Sequence, residues 1–244
     1  MRASGSGGAR LPVGVIRDRA FSFYYPENLE ALEAAGAQLV ILNALEDVGL
    51  ATVDAPGEGE NPPVAAIYAG GGFPEVMAAE LEANDSFRAD LRRAVARGLP
   101  VYAECGGLLY LVRQVRWGNR SFAMAGVLPL ELEMRERPQG HGYVEAEVVG
   151  ENPYFVPGQV IRGHEFHHSA PVLGGEGHIP GGEFVFRLKR GTGFGQGRDG
   201  LRWGSVFAAY THIHVLGCPG WASALVAQAR AYACERGERN TTWE

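Results

Sequence analysis

The first half of the chain alternates short apolar runs with helical segments, and this alternation is the feature that most restricts its fold. The apolar runs are typical of buried strands and lie at Val13–Ile16, Gln38–Leu42, Val64–Tyr68 and Leu99–Ala103. Helices are predicted at Pro26–Ala35, at about residues 84–97 with Asn84 or Asp85 as the cap, and at Gly107–Val115. Strands separated by helices imply a parallel sheet with covered faces.

The second half has a different pattern. Alternating segments separated by Gly and Pro occur at Val144–Val149, Val160–Ile161 and Phe184–Leu188, and Arg198-Asp199-Gly200 is a hairpin signal. We expect antiparallel strands added to one side of the same sheet, followed by a helix at about 219–236. The fold class is therefore α/β, a three-layer, open and mostly parallel sheet flanked by helices. We expect a flexible leader at residues 1–11 and one domain at residues 12–244.

Composition excludes several classes of protein. With 244 residues, 46% of them hydrophobic, the chain can bury a core, and its net charge of −6 argues against nucleic-acid binding. No apolar run approaches the length of a membrane span, and three widely spaced cysteines suggest neither a disulfide framework nor a zinc site. We expect a cytoplasmic protein. Lys189 is the one lysine, and its context excludes a Gly-Lys-Ser/Thr phosphate loop in these residues.

Cys105 is the strongest candidate for chemistry. It lies in Ala103-Glu104-Cys105-Gly106-Gly107, between a predicted strand and a predicted helix. A thiol on such a turn sits at a helix N-terminus, where the dipole and the free N–H groups favour the thiolate. The small neighbours allow close approach of backbone, as in a hydrolase nucleophile elbow. The alternative is a buried structural cysteine, the more usual fate of a free thiol.

A glycine triplet, Gly70-Gly71-Gly72, follows the strand that precedes the Cys105 unit. Backbone N–H groups in such a loop can point at a phosphate or an oxyanion, although a plain turn explains the glycines equally well. Ligands of open α/β sheets bind beyond the carboxyl ends of the strands. We therefore expect this loop and Cys105 to share one edge of the sheet.

All seven histidines lie at or beyond His141. Tyr210-Thr211-His212-Ile213-His214 follows a strand-like run, and a histidine brought to a cysteine by a later strand is the arrangement of an activated thiol. His212 and His214 would share a face if the strand continues, one as the base and the other as its orienting partner.

The segment Gly163-His164-Glu165-Phe166-His167-His168-Ser169 is rich in His and Glu. It lacks the His-Glu-x-x-His pattern of zinc hydrolases, so we expect no metal. Polar residues of a substrate loop, or a solvated surface loop, are the remaining interpretations.

Together these stretches resemble the glutaminase domain of cobyrinic acid a,c-diamide synthase and its hydrogenobyrinic and sirohydrochlorin-acting relatives, which are class I glutamine amidotransferases of flavodoxin-like fold. The resemblance covers about residues 12–236. It rests on five motifs in family order, at residues 17–29, 68–75, 102–108, 163–169 and 210–214. The Phe-Ser-Phe-Tyr-Tyr-Pro stretch at residues 21–26 favours the a,c-diamide synthases over cobyric acid synthase.

The resemblance implies roles for individual residues. Cys105 would attack the carboxamide of glutamine and form a thioester, with His212 as its base. Amides of Gly106 and of Gly71 or Gly72 would form the oxyanion hole. The resemblance further implies that Glu165, His167 and Gly107 bind the substrate. His214 stands where many class I glutaminases carry a glutamate, so the third catalytic member is open.

The family's usual chain carries an ATP-binding synthetase domain, which these residues lack. ATP and Mg²⁺ are therefore expected on a separate synthetase domain or subunit, and the tetrapyrrole acceptor would reach this chain only through that partner. Two alternatives remain. One is a cobyric-type amidotransferase with another acceptor, such as a sirohydrochlorin-type tetrapyrrole, cobyric acid side chains or a cell-wall lipid. The other is a degenerate glutaminase-like scaffold that only binds a partner.

Overall fold

The computed structural model describes residues 10–53, 63–172 and 179–240. The strands in chain order are β1 (Leu11–Ile16), β2 (Ala37–Leu42), β3 (Ala66–Ala69), β4 (Val101–Glu104), β5 (Val112–Trp117), β6 (Arg120–Ala123), β7 (Leu128–Met134), β8 (Gly140–Val148), β9 (Val160–His167), β10 (Ser169–Pro171), β11 (Gly182–Arg190), β12 (Arg198–Trp203), β13 (Val206–Ala209) and β14 (His212–Ile213). The helices are α1 (Pro26–Ala34), α2 (Ala78–Ala83), α3 (Asp85–Ala96), α4 (Gly106–Leu111) and α5 (Trp221–Asn240), and a 3₁₀ turn covers Pro74–Met77.

Ten strands form one sheet in the order β14-β9-β8-β11-β12-β13-β4-β3-β1-β2. The five strands from β13 to β2 run parallel, and they include all four runs predicted from the first half of the sequence. The other strands pair antiparallel, as the second half predicted. The α/β fold class is confirmed. The predicted leader lies outside the described residues except for Arg10 and Leu11, and β1 begins at Leu11.

The large sheet curls back on itself. Strand β13 lies in the middle of the sheet order and β14 lies at one end, yet only Tyr210 and Thr211 separate them in the chain. Three residue steps, from Ala209 to His212, span at most about 11 Å, so the edge of the antiparallel half must come round to the carboxyl end of β13. Strand β14 there pairs with β9, with His212 opposite His164.

The predicted helix at Gly107–Val115 is wrong in its second half. Helix α4 ends at Leu111, and the chain continues directly as strand β5. Strand β5 pairs with β6 and β7 in a separate four-stranded sheet, of order β10-β7-β5-β6, which the sequence did not predict. Strand partners from later in the chain override a local apolar pattern that fits a helix equally well.

The predicted hairpin turn at Arg198-Asp199-Gly200 is also wrong, because these residues begin strand β12. Asp199 is fully buried, and its carboxylate accepts hydrogen bonds from the Tyr210 and Thr211 amides and from the Thr211 hydroxyl, at 3.0, 2.9 and 2.6 Å. The carboxylate therefore fixes the segment that leads into His212, which is a tertiary role that an Asp-Gly pair does not reveal.

Helices α1 and α5 pack against each other beside β1, β2 and β3. Helix α3 begins as predicted, with the Asn84 side chain accepting the Phe87 amide at 3.3 Å. No helix in the described ranges is both long and apolar enough to cross a membrane. Residues 49–63 are rich in Gly, Pro, Asp and Glu and are therefore expected to form a solvated loop, but they lie largely outside the described residues.

Candidate active site

Three predicted features meet at one edge of the parallel sheet. Adjacent strands β3, β4 and β13 end at Ala69, Glu104 and Ala209, and their continuations are the glycine loop, Cys105 and the segment that leads to His212. The carboxyl ends of parallel strands form the edge where α/β sheets bind ligands. The predicted proximity of the glycine loop and Cys105 is confirmed.

Cys105 occupies a strained turn between β4 and α4. Its backbone has φ +45° and ψ −95°, a region that L residues rarely adopt and that costs on the order of 1–3 kcal/mol. Its amide donates to the Ala209 carbonyl at 2.8 Å, which ties the turn to β13. The side chain is 8% exposed, and Sγ donates to the Phe166 carbonyl at 3.5 Å. Such strain at a small turn points to a functional rather than a packing role for the thiol.

His212 lies directly beside the thiol and is 4% exposed. Burial alone would lower the pKa of its imidazole, but the charge of Cys105, a hydrogen bond to that thiol and the neighbouring Glu104 outweigh burial and raise the pKa to about 10. The buried pair therefore places an imidazole where it can accept the proton of the Cys105 thiol, and the thiolate is the form in which cysteine is a nucleophile.

Glu104 is a buried carboxylate that the sequence reasoning missed. It is 2% exposed, and its Oε2 lies 3.6 Å from Nδ1 of His212. The Tyr68 hydroxyl donates to Oε2 at 3.2 Å, and the Ile213 amide donates to Oε1 at 3.3 Å. The signal was a charged residue at the end of an apolar strand, immediately before the candidate nucleophile.

The glycines proposed for the oxyanion hole differ in whether their backbone amides already donate to a protein acceptor. The Gly71 amide donates to the Phe23 carbonyl at 3.1 Å, so it is occupied, and Gly71 leaves room for the His212 ring, which a Cβ would meet at 2.5 Å. The Gly72 nitrogen lies 2.8 Å from where a Cβ on Gly106 would stand. Within the described ranges, the amides of Gly72 and Gly106 have no protein acceptor. These two amides are the available donors beside Cys105.

Two pockets open on either side of Cys105. The first is lined by Gly72, Phe73, Glu75, Cys105, Gly106, Leu109, Met134, Phe166, His167, His168 and Ser169. The second is lined by Phe23, Gly72, Phe73, Cys105, His164, Phe166 and His212. The lining of the first combines apolar residues with the polar side chains of Glu75, His167, His168 and Ser169, whereas the second is lined mainly by aromatic and imidazole rings.

The three residues predicted to bind substrate, Glu165, His167 and Gly107, have contacts within the protein. Glu165 is 2% exposed, and its carboxylate accepts the Thr192 and Gly193 amides at 2.6 and 2.8 Å, so it holds a loop. His167 lines the first pocket, but its ring nitrogens lie 2.8 Å from the Ser169 carbonyl and 3.4 Å from Glu165. Gly107 is buried with no room for a Cβ, which would lie 2.1 Å from the Ala69 carbonyl oxygen. The substrate-binding role of these three residues stays a prediction.

His214 does not join His212 at the thiol. Strand β14 ends at Ile213, so the shared face predicted for the two histidines does not form. The His214 ring packs on Tyr25 with centroids 4.6 Å apart, and Nε2 lies 3.5 Å from the Glu27 carboxylate. The ring that stacks on His212 belongs to His164, at 4.7 Å. Burial and the charge of His212 lower the pKa of His164 to about 4, so it is neutral at pH 7.

The described residues contain no group of three or more His, Cys, Asp or Glu side chains that could hold a metal ion. The His- and Glu-rich segment at residues 163–169 forms parts of β9 and β10. Its side chains are divided between the loop contact of Glu165, the stack of His164 and the first pocket. The segment is thus part of the site wall rather than a solvated loop.

The chain is similar in sequence to a known domain family and to curated proteins. Residues 12–219 match the CobB/CobQ-like glutamine amidotransferase domain. Relatives include the cobyrinate a,c-diamide synthases of Magnetococcus marinus, 39% identical over 216 residues, and of Methanothermobacter thermautotrophicus, 44% identical over 214 residues. Each alignment covers 88% of this chain and 43% of the relative, so the chain spans less than half of the relatives' length.

Solved structures show the fold. PurLQS from Thermotoga maritima matches with a TM-score of 0.60 at 17% identity, covering 90% of this chain and 97% of the other. A glutamine amidotransferase from the same organism matches with a TM-score of 0.52 at 13% identity, covering 93% and 94%. The predicted fold of a class I glutamine amidotransferase is confirmed. By its family match over most of its length, the chain belongs to the CobB/CobQ-like glutamine amidotransferases.

Proposed function

We propose that this chain hydrolyses glutamine through a thioester on Cys105. The observation that carries the proposal is the strained Cys105 turn with His212 buried against the thiol. Sulfur attacks the side-chain amide carbon of glutamine, and the resulting oxyanion accepts hydrogen bonds from the Gly72 and Gly106 amides. His212 takes the thiol proton and gives it to the leaving ammonia. It then activates a water that cleaves the thioester and releases glutamate.

The first pocket, whose lining includes Glu75, His168 and Ser169, is the proposed glutamine site. Glu75 supplies a carboxylate for the α-ammonium group, although burial raises its pKa and the charge of His168 partly opposes this. The Nδ1 of His168 lies 3.1 Å from the Arg135 carbonyl and so carries a proton, which leaves Nε2 for the ligand. Together with Ser169, His168 would bind the α-carboxylate, and the side-chain amide would reach Cys105.

A glutamine analogue that carries an electrophilic diazoketone tests the nucleophile. We expect stoichiometric mass addition on Cys105, and glutamine should protect against it. The Cys105→Ala variant should take up no label and should lose glutamine hydrolysis by about 10³-fold or more. Cys218 and Cys234 are free thiols that serve as internal controls in the peptide map. Labelling confined to those two cysteines, or full hydrolysis by the Ala variant, contradicts the proposal.

We further propose that the ammonia serves ATP-dependent amidation of the a and c carboxylates of a corrin-type tetrapyrrole, as in cobyrinate a,c-diamide synthase. The names of the relatives support this acceptor. ATP and Mg²⁺ would bind a synthetase domain or subunit outside these 244 residues, whose single lysine forms no phosphate loop. A cytoplasmic location fits three free thiols, one of which must stay reduced.

Reconstitution with the synthetase partner tests the acceptor. With cobyrinate, ATP and Mg²⁺, we expect glutamine to support amide formation by the wild-type chain but not by Cys105→Ala. Ammonium chloride should support amidation with both proteins, because it bypasses the thioester. Amidation of a sirohydrochlorin-type tetrapyrrole, of cobyric acid or of a lipid in place of cobyrinate would show one of the alternative acceptors. Partner binding without any amide formation would indicate a degenerate scaffold.

A further inference from the structure

We propose that Glu104, the residue immediately before the nucleophile, is the carboxylate that orients His212 and stabilises its protonated form. Glu104 is thus a positioning residue, acting on the substrate only through His212. The proposal deepens the glutaminase function proposed above and rests on it. The third member of the catalytic set then lies at the end of strand β4, just before the cysteine, and not in the segment that contains the histidine.

The strand register explains why Glu104 reaches His212. Glu104 is the last residue of β4 and pairs with Ala209 of β13, three residues before His212. The chain then turns at Thr211, which Asp199 holds, and brings the His212 ring back over the end of β4. A carboxylate at the end of β4 and an imidazole just beyond β13 therefore meet beside the Cys105 turn.

The carboxylate itself is held in place from two directions. The Tyr68 hydroxyl of β3 donates to Oε2, and the Ile213 amide of β14 donates to Oε1. Neither donor neutralises the negative charge. The remaining neighbour of Oε2 is Nδ1 of His212 at 3.6 Å, a fully buried ring nitrogen with no hydrogen-bond partner among the described residues. A small closing movement would convert this ion pair into a hydrogen bond.

This arrangement assigns a role to each ring nitrogen. With Nδ1 facing Glu104, the neutral ring carries its proton on Nδ1, and Nε2 is left to exchange a proton with Cys105. An acceptor on the far side of the ring from the nucleophile is what sets the tautomer in Cys- and Ser-based catalytic sites. His214 cannot supply such a charge because it is a histidine and because its own partner is Glu27.

The charge of Glu104 also acts on the other groups around the His212 ring. Burial together with this charge raises the pKa of the tyrosines and of the thiol around the pair, namely Tyr24, Tyr25, Tyr68, Tyr102 and Cys218. These groups are neutral at pH 7, and so is His164, whose pKa is lowered to about 4. The titratable groups that face one another are therefore Glu104, His212 and Cys105, all within a buried site where Coulomb interactions are weakly screened.

Kinetics of Glu104→Gln test this role. We expect kcat for glutamine to fall by about 100-fold or more, with KM changed only a few-fold, because an amide keeps the shape but neither the charge nor the tautomer preference. The alkaline limb of the kcat profile should move to lower pH, since a protonated His212 without a carboxylate neighbour loses its proton more easily. Glu104→Asp should recover part of kcat.

Glu27→Gln is the matched control, because it removes a carboxylate from a histidine that does not touch the thiol. We expect its kcat and its alkaline limb to equal those of the wild type. Wild-type kcat and an unmoved alkaline limb in Glu104→Gln would overturn the proposal. Cys105 labelling of the wild-type chain separates the two proposals, because without that labelling the glutaminase function fails regardless of Glu104.

A measurement on the wild-type chain avoids any dependence on variant folding. ¹⁵N-histidine NMR, assigned with His212→Gln, reports the protonation of each ring nitrogen. We expect His212 to carry a proton on Nδ1 throughout neutral pH, and to remain doubly protonated well above the range of an ordinary histidine. A His212 ring with its only proton on Nε2 at pH 7 would overturn the proposal.

Discussion

Replacing His212 with glutamine is expected to lower kcat for glutamine hydrolysis by about 10³-fold or more, with a much smaller change in KM. Glutamine keeps a polar side chain of similar length but cannot accept the thiol proton and return it. The ring is 4% exposed, so bulk water cannot readily replace it as a base. Steady-state ammonia release measures the loss. Single-turnover acylation of Cys105 should be slowed as well, because His212 acts before the thioester forms.

His214→Gln is the informative comparison for that variant. The two histidines are two residues apart, but His214 packs on Tyr25 and pairs with Glu27 rather than with the thiol. We expect kcat within a few-fold of the wild type. A loss comparable to that of His212→Gln would restore the expectation that His214 is the orienting partner and would count against Glu104.

Asp199→Ala is expected to lower the free energy of unfolding by about 3–5 kcal/mol. The substitution leaves three buried donors without their acceptor, namely the Tyr210 amide, the Thr211 amide and the Thr211 hydroxyl. An unsatisfied buried donor costs about 1–3 kcal/mol, and the sum is reduced because the buried carboxylate itself carries a desolvation cost. Burial accordingly raises the pKa of Asp199. Urea unfolding with an unchanged m value measures the effect.

Asp199→Asn is the matched control because it keeps one acceptor oxygen and nearly the same volume. We expect the loss of unfolding free energy in Asp199→Asn to be about half of that in Asp199→Ala. Since Asp199 fixes the segment before His212, the Ala variant should also lose kcat under conditions where it remains folded. An Ala variant as stable as the wild type would show that Asp199 is not needed to hold that segment.

The two incorrect secondary-structure predictions have a common cause. Gly107–Val115 has an apolar pattern that suits a helix, yet Val112 onward is a strand because β6 and β7 supply its hydrogen bonds. Arg198-Asp199-Gly200 has the composition of a turn, yet it begins a strand because β12 pairs with β11 and β13. In both cases the deciding partner lies many residues away, where no local pattern can report it.

Within the site, features set by the order of strands and loops along the chain could be predicted, whereas contacts between residues distant in sequence could not. Cys105 and the glycine loop could be predicted because each follows a strand, and parallel strands end at one edge. Glu165, His167 and Gly107 have the residue types of a binding loop, and only the structure shows that they also contact Thr192, Ser169 and Ala69. The choice between Gly71 and Gly72 depended on a single hydrogen bond, from the Gly71 amide to Phe23.

The sequence by itself determined the parallel half of the sheet, the turn that carries Cys105 and the histidine that follows a later strand. These follow from periodicity and chain order, which are local properties. Only the tertiary structure decided which groups surround that histidine. The curl of the sheet sets His212 opposite His164, and the register of β4 with β13 sets it beside Glu104. A charge in a buried site acts over a few ångströms, so its effect depends on contacts that only the folded chain creates.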